Sequence, residues 1–141
     1  MESSSLIQGA GAFFYATKTK RWLFLMRADG RHENTWGLVG GKSENSEIPI
    51  QTLHREIVEE IGETTIQRVI PIEKFTNNNF EYHTYVCVVE QEFIPTLNNE
   101  HKGYCWTDID SYPRPLHPGV FTSLDLDVIL EKIKTIQEII S

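Results

Sequence analysis

The hydrophobic pattern predicts several short strands and two helices. Short runs rich in apolar, aromatic and β-branched residues are long enough for buried strands and too short for helices. These runs cover residues 6–17, 22–27, 65–74, 80–90 and 104–107. In the run 80–90 both alternating faces are apolar, so we expect a central strand covered on both sides. Because Pro71 has no N–H to donate, we expect the run 65–74 to lie at a sheet edge or to be interrupted.

Helical periodicity appears twice. Ile50, Leu53, Ile57 and Ile61 recur at spacings of three and four, which places them on one face of a helix. Pro49 suits the first turn of this helix, and Gly62 suits the residue just after its end.

A second apolar stripe predicts a C-terminal helix over residues 124–140, with Ser123 as its N-cap. The order of elements gives a sheet between two helical layers, with one helix on each face.

Three glutamates cluster on the polar side of the first helix. Glu56, Glu59 and Glu60 are three and four residues apart, where like charges repel. Clustered carboxylates suit Mg²⁺ or Mn²⁺, which prefer oxygen ligands. The alternative is a solvated acidic face without a ligand.

Two consecutive glycines precede this helix. Without a Cβ, Gly40 and Gly41 allow the backbone to approach a metal or a phosphate closely. A plain tight turn is the alternative interpretation.

The residues around the acidic cluster form a longer pattern with fixed spacings. The matching residues are Gly41, Glu47, Arg55, Glu56, Ile57, Glu59, Glu60 and Gly62, preceded by the lead-in 36–42. This pattern resembles the Nudix box, the signature of the Nudix hydrolases. Three positions depart from it: Glu63 replaces an apolar residue, Val39 a frequent proline, and Ile48 a frequent Ser or Thr cap. None of them removes a metal ligand, so we expect them to affect the ends of the helix and not the chemistry.

The resemblance implies an α/β fold, the Nudix α/β/α sandwich with a mixed central sheet, in one domain over residues 1–141. It implies that Glu56, Glu59, Glu60 and the Gly40 carbonyl hold Mg²⁺, with Mn²⁺ as an alternative. In the family, the arginine at the Arg55 position pairs with glutamates of the box, for which Glu47 is a candidate.

The resemblance also implies further site residues. Gly41 is expected to lie against the substrate, and Arg27 to contact it. Glu59 or Glu100 would act as general base, since Glu100 lies in a loop six residues before Trp106. Glu92 is the second candidate for that loop glutamate.

Two histidines and two tyrosines are further candidates for the site. His32 and His117 could serve the site, but a solvated loop and loop packing, respectively, are the preferred interpretations. Tyr82 or Tyr85 could stack on a base, with core packing as the default.

The implied function is Mg²⁺-dependent hydrolysis of a nucleoside diphosphate linked to another moiety. We favour a pyrophosphohydrolase of small (d)NTP-type nucleotides. A hydrolase of nucleotide sugars, dinucleoside polyphosphates or ADP-ribose is the alternative. Hypotheses of another class are a catalytically silent nucleotide-binding module and an acidic interaction protein.

Composition and charge limit the kinds of partner and the location that we expect for the protein. A formal charge of −7 disfavours stable nucleic-acid binding, which needs a basic surface. Two cysteines, Cys87 and Cys105, are too few for a disulfide framework. The N-terminal stretch carries Glu2 and no basic leader, and no apolar run is long enough to span a bilayer. We therefore expect a cytoplasmic protein without membrane contact. A homodimer is possible through a strand edge near Pro71 or at the N-terminal strand.

Overall fold

The computed structural model describes residues 6–140. The strands are β1 Ile7–Ala16, β2 Arg21–Arg27, β3 Trp36–Gly37, β4 Val39–Lys42, β5 Arg68–Asn77, β6 Phe80–Val89 and β7 His101–Thr107. The helices are α1 Pro49–Ile61, α2 Pro118–Asp125 and α3 Asp127–Ile139, with a turn of 3-10 helix at Ile109–Ser111. Glu2, on which the prediction about an N-terminal leader rests, lies outside the described residues.

The described strands form one mixed sheet. Its main order is β3-β2-β1-β6-β5, while β4 pairs with β1 and β7 pairs with β2. Strands β1 and β6 are parallel, and the other pairs are antiparallel. The predicted mixed central sheet is therefore confirmed.

Helices cover both faces of this sheet. On one face, Leu53, Ile57 and Ile61 of α1 pack into a buried cluster with Phe14 and Cys87. On the other face, α2 and α3 contribute a second cluster, whose members include Val120, Leu124, Ile129 and Ile133 together with Phe13, Val86 and Val88. The structure is the predicted α/β/α sandwich.

Strands β5 and β6 match their predictions. Strand β6 lies inside the sheet, and its residues Val86 and Cys87 are buried on opposite faces. Strand β5 lies at the end of the strand order, and its pairing register shifts between Pro71 and Glu73. Pro71 thus occupies an edge strand next to an irregularity, as its missing N–H requires.

The prediction of one C-terminal helix is wrong in detail. Two helices, α2 and α3, meet at Leu126, whose extended backbone (φ −84°, ψ 119°) interrupts the helical path. Ser123 lies inside α2 and does not cap a helix, because its hydroxyl donates to Glu73 Oε1 at 2.7 Å.

The double glycine lies in a strand and not in a tight turn. Strand β4 pairs antiparallel with β1, so that Gly40 lies opposite Gly11 and Gly41 opposite Ala10. Strand β1 is thereby paired on both sides, with β6 on its other edge. The N-terminal strand is therefore not the free edge that a dimer contact would need. Among the described helices, none combines the length and apolar character that crossing a bilayer requires.

Candidate active site

Helix α1 holds the acidic cluster, and local hydrogen bonds fix both of its ends. Ile48 occupies the N-cap without a side-chain acceptor, but its N–H donates to Gln51 Oε1 at 3.0 Å. At the other end Gly62 has φ +84°, and its N–H donates to Val58 O at 3.2 Å. The departure at Ile48 thus costs the helix one capping acceptor and leaves its position unchanged.

Arg55 joins the acidic residues of α1 to the segment that precedes it. Its guanidinium donates to both carboxylate oxygens of Glu47, from Nε at 2.8 Å and from Nη2 at 3.0 Å. Nη1 lies 3.3 Å from oxygens of Glu56 and Glu59, and Nη2 donates to Lys42 O at 2.9 Å. One side chain therefore orients three glutamates and the end of β4.

Glu47 receives donors from several directions. Besides Arg55, the Glu44 N–H donates to its Oε1 at 2.7 Å and the Thr52 hydroxyl donates at 3.0 Å. These bonds favour the ionised carboxylate, Arg55 most strongly, and lower the pKa of Glu47 to about 2. The hydrogen bond to Glu47, followed by Glu59 and the charge of Glu56, raises the pKa of Arg55, so Arg55 and Glu47 are both charged at neutral pH.

Glu60 is the buried acid of the site. Only 1% of its surface is exposed, and the Gly40 N–H donates to its Oε1 at 3.1 Å. Burial raises the pKa of Glu60 far above its usual range, and contact with the Glu56 carboxyl raises it further. The Gly40 N–H opposes this shift without cancelling it. This environment therefore favours the neutral, protonated form of Glu60, and a bound cation would oppose that preference.

The two glycines are required by close packing. A Cβ at Gly41 would collide with the Glu56 carboxylate. A Cβ at Gly40 would collide with the Ala10 carbonyl oxygen and lie 2.7 Å from the Tyr82 hydroxyl. The glycines thus bring the backbone of β4 directly against the acids of α1.

The donor set fits a hard divalent cation. Within residues 6–140 no three His, Cys, Asp or Glu side chains converge on one point, since Arg55 holds Glu56 and Glu59 while Glu60 turns to Gly40. Glu56 and Glu60 are nevertheless neighbouring carboxyls, and a negative charge on Glu60 is strongly disfavoured. A bound divalent cation would stabilise that charge. Carboxylate and carbonyl oxygens are also the ligands that Mg²⁺ and Mn²⁺ prefer.

Glu100 lies close to the acids of α1. Asn98 Nδ2 donates to the backbone carbonyl of Glu59 at 2.8 Å and lies 3.3 Å from Glu100 Oε2. The charge of Glu100 also contributes to the raised pKa of Glu60. Glu92 lies elsewhere, because it forms a bidentate ion pair with Arg21 at 2.6 and 2.8 Å, at the opposite end of β2 from Arg27.

Arg27 ends β2 on the side of the box. In the part of the chain that the structure describes, its buried Nε has no hydrogen-bond partner, and neither has Nδ1 of the neighbouring His101. The charge of Arg27 acts on Tyr82 and His117. Arg27 therefore has an unused donor close to the site.

Two residues outside the box, Asn98 and Tyr82, lie close to its acids or glycines. Asn98, which joins Glu100 to α1, carries no motif signal apart from its place in the same polar loop. For Tyr82 the sequence favours core packing and leaves stacking on a base as the alternative, and in the structure its hydroxyl lies beside Gly40. Burial raises the pKa of Tyr82, and the charges of Glu60 and Glu56 raise it further, so its hydroxyl remains a donor.

The two loop histidines, His32 and His117, contact each other. The rings of His32 and His117 meet edge to face with centroids 4.6 Å apart, and His117 Nδ1 accepts from the Gly119 N–H at 3.0 Å. His117 thus caps α2. Burial, followed by His32 and Arg27, lowers the pKa of His117 to about 4.

Comparison with known proteins identifies the family. The profile of the NUDIX domain matches residues 6–125. The chain belongs to the Nudix family. Helix α3 lies beyond the matched range and packs on the same sheet as the Nudix domain.

Individual relatives agree with this assignment. The chain is 33% identical, over 110 residues, to dihydroneopterin triphosphate diphosphatase of Haemophilus influenzae, covering 65% of this chain and 68% of the relative. It is 26% identical to the solved dihydroneopterin triphosphate pyrophosphohydrolase of E. coli, with a TM-score of 0.56 and coverage of 72% and 80%. The M. smegmatis Nudix hydrolase RenU superimposes with a TM-score of 0.68 at 18% identity, covering 100% and 90% of the chains.

These findings confirm three predictions: the Nudix family, the Nudix fold and the enzyme class, a Nudix pyrophosphohydrolase.

Proposed function

We propose that this Nudix protein hydrolyses a small triphosphate compound, either a nucleoside triphosphate or a pterin triphosphate, with the help of Mg²⁺ or Mn²⁺. Water forms a new bond to phosphorus, an anhydride P–O bond breaks, and the products are the monophosphate and pyrophosphate. The observation that carries the proposal is the Arg55-centred network, which orients Glu47, Glu56 and Glu59 beside the close-packed glycines of β4.

The metal ligands in this proposal are Glu56, Glu59, Glu60 and the Gly40 carbonyl. When bound, the cation neutralises phosphate charge and lowers the pKa of a water molecule. Glu60 supports the assignment because its buried carboxyl would exchange a proton for the metal. Arg55 and Glu47 do not bind the metal. They hold the ligands in position, and such supporting residues affect metal affinity and activity.

Two carboxylates are candidates for the general base. Arg55 Nη1 lies 3.3 Å from both oxygens of Glu59, so this carboxylate already has a cationic partner. Glu100 is exposed and has a neutral side-chain donor, Asn98, at 3.3 Å. This contrast favours Glu100 for taking the proton of the attacking water and Glu59 for binding the metal.

Substrate contacts fall to the backbone at Gly41 and to Arg27. Because Gly41 has no Cβ, its backbone lies directly against the Glu56 carboxylate. Arg27 has a buried Nε without a partner among the described residues, so a phosphate oxygen of the substrate would complete its hydrogen bonding. Both assignments follow what the resemblance to the Nudix family implies.

The choice of a triphosphate substrate rests on the relatives. The H. influenzae protein and the E. coli structure both carry names that specify dihydroneopterin triphosphate. A pterin and a purine are planar fused rings on a triphosphate chain, so one site of this chemistry could accept either. ADP-ribose, nucleotide sugars and dinucleoside polyphosphates are the competing substrates.

The remaining proposals concern the molecule as a whole. Packing of α3 on the sheet supports one domain over residues 1–141. A cytoplasmic location and a homodimer remain predictions.

A substrate panel tests the proposed function. Dihydroneopterin triphosphate, dGTP, ATP, ADP-ribose, UDP-glucose and diadenosine tetraphosphate are each incubated with Mg²⁺, with Mn²⁺ or with a chelator. Phosphorus NMR in ¹⁸O-labelled water then identifies the products and the phosphorus attacked. We expect metal-dependent release of pyrophosphate from a triphosphate compound. Preferred cleavage of ADP-ribose or UDP-glucose would contradict the substrate class, and no cleavage of any compound would contradict the function.

A further inference from the structure

We propose that His101 binds the substrate, and that its Nδ1 donates a hydrogen bond to the same phosphate group that Arg27 contacts. This inference rests on the proposed function and adds to it a substrate-binding residue outside the Nudix box. His101 directly follows Glu100 and is the first residue of β7.

His101 and Arg27 lie side by side on the face of the sheet that carries the acids. They are partners in the antiparallel register of β2 and β7, so their side chains point to the same side. Two and four residues before Arg27, Leu25 and Leu23 pack into the cluster that α1 covers. The shift in register leaves the extra residue, Lys102, on β7, so the alternation along β2 continues to Arg27.

The pair also lies next to the candidate general base. The Ala28 N–H donates to the Glu100 carbonyl at 2.8 Å, which joins the backbone beside Arg27 to the backbone beside His101. The charge of Glu100 acts on the buried carboxyl of Glu60. A phosphate held by Arg27 and His101 would therefore lie close to the acids that bind the metal in the proposed function.

Both side chains have a buried nitrogen without a partner. Only 6% of the surface of His101 is exposed, and within residues 6–140 neither its Nδ1 nor Arg27 Nε has a hydrogen-bond partner. Native proteins pair almost all of their buried polar atoms, so an unpaired one calls for an explanation. Two such atoms on adjacent, paired residues indicate one ligand that both share.

The two nitrogens require an acceptor. Arg27 Nε can only donate, because a guanidinium has no acceptor atom. Burial, followed by the charge of Arg27, lowers the pKa of His101 to about 4, and Asp29 opposes this shift. At neutral pH the imidazole is therefore neutral and carries one N–H. Placed on Nδ1, this N–H makes both unpaired nitrogens donors, which explains why they do not bond to each other.

A phosphate oxygen suits this pair of donors better than a neutral acceptor does. Arg27 supplies a full positive charge, and hydrogen bonds that involve charged groups are stronger than those between neutral groups. The neutral N–H of His101 adds a second donor without repelling the guanidinium. Because both nitrogens are screened from solvent, the phosphate must draw the two side chains toward it, and hydrogen bonds in active sites often align only when the ligand is bound. A buried water molecule is the competing partner.

The test uses a ligand that has phosphate-like groups and no ring. Methylenediphosphonate is a pyrophosphate analogue without an anhydride bond, so it binds without being hydrolysed. Its Kd is measured by NMR titration with saturating Mg²⁺ for wild type and three variants. His101→Phe keeps a planar ring and removes both nitrogens, whereas His101→Asn keeps an amide N–H near the position of Nδ1. His54→Phe is the control, because His54 is exposed on α1.

We expect the Kd to rise about tenfold or more in His101→Phe, the effect of losing a hydrogen bond to a charged group. His101→Asn and His54→Phe should bind the analogue as wild type does. Equal Kd values for wild type and His101→Phe would overturn the proposal. An equal loss in His101→Phe and His101→Asn would also overturn it, because the effect would then come from packing of the ring and not from the N–H.

A second measurement needs no variant and so does not depend on the folding of His101→Phe. The ¹⁵N chemical shifts of the histidine side chains are followed in wild type as the analogue is added. We expect Nδ1 of His101 to shift and the nitrogens of His54 to stay unchanged. If the analogue binds while His101 does not respond, a water molecule satisfies Nδ1 and the proposal is wrong. It is equally wrong if wild type does not bind the analogue.

These results are separate from the outcome of the substrate panel. If wild type hydrolyses no compound of the panel but His101→Phe alone weakens binding of the analogue, His101 binds phosphate and the proposed function fails. If wild type hydrolyses a triphosphate while His101→Phe binds the analogue normally, the proposed function stands and this inference fails.

Discussion

At the scale of single residues, Arg55 determines the arrangement of the site. Its planar guanidinium holds Glu47 through two parallel hydrogen bonds and still reaches Glu56, Glu59 and the Lys42 carbonyl. A lysine ammonium cannot satisfy this geometry, because its donors do not lie in one plane.

Replacement of Arg55 by lysine should therefore leave the fold intact and impair the metal site. We expect Arg55→Lys to lower the apparent Mg²⁺ affinity or kcat/KM about 10- to 100-fold, the range seen when residues that support metal ligands are changed. Activity as a function of Mg²⁺ concentration measures the effect. Arg68→Lys, at an exposed position of β5, is the matched control. Equal activity of Arg55→Lys and wild type would contradict the role of the guanidinium.

Glu60 makes stability and metal binding depend on pH. Its folded-state pKa is raised well above the usual 4.5, mainly by burial and then by Glu56. Above pH 4.5 the folded protein without metal thus holds a proton that the unfolded chain has lost. The contribution of Glu60 to the free energy of unfolding therefore falls as pH rises.

In the presence of a chelator, we expect the free energy of unfolding of wild type to fall relative to that of Glu60→Gln as the pH rises from 5 to 8. Urea unfolding of both proteins at each pH provides the comparison. Mg²⁺ binding to wild type should also release protons, which calorimetry in buffers of different ionisation enthalpy detects. A stability difference that does not change with pH, together with metal binding that releases no proton, would refute the buried protonated acid.

The sequence predicts the residues of the box better than those outside it. The spacing of Glu56, Glu59 and Glu60 is a property of one helix, so local periodicity is enough to bring them together. Tyr82 reaches the site because parallel pairing of β1 and β6 brings it across Gly9 and Gly11. Such long-range pairing leaves no local signal in the sequence.

At the scale of elements, the same distinction explains which helices and strands were predicted. Helix α1 has both a clear apolar stripe and residues suited to its ends, and its bounds agree with the prediction. The break between α2 and α3 has no glycine or proline to mark it, and the apolar stripe continues past Leu126. Strand β4 was missed because Gly40 and Gly41 have little strand propensity, and pairing with β1 overrides that preference.

Helix α3 should contribute to the stability of the Nudix domain although it lies outside the matched residues 6–125. Ile133 is fully buried, whereas Ile139, on the same helix, is 74% exposed. We expect Ile133→Ala to lower the free energy of unfolding by ~2–5 kcal/mol, the usual range for a buried isoleucine, and Ile139→Ala to change it little. Denaturant unfolding measures both. A similar small effect at both positions would mean that α3 is not part of the cooperative unit.

At the scale of the whole molecule, the two faces of the sheet differ in what they carry. The face next to α1 holds the acids of the Nudix box, and the other face packs against α2 and α3. Glycines of β1 and β4 give room to Tyr82 on one face and to the Glu56 carboxylate on the other. In the proposed function the Nudix box accounts for the reaction, and Arg27 is the candidate for contact with the substrate.

The central claim is that the buried and Arg55-held glutamates of α1 carry out metal-dependent hydrolysis. The most direct test measures pyrophosphate release from the preferred triphosphate, with saturating Mg²⁺, for wild type, Glu59→Gln and Glu60→Gln. Glu63→Gln is the control, because Glu63 is exposed just after the same helix. We expect kcat to fall by orders of magnitude in the first two variants, with circular dichroism unchanged, and to remain near wild type in Glu63→Gln. Near-normal Mg²⁺-dependent turnover in both Glu59→Gln and Glu60→Gln would contradict the account.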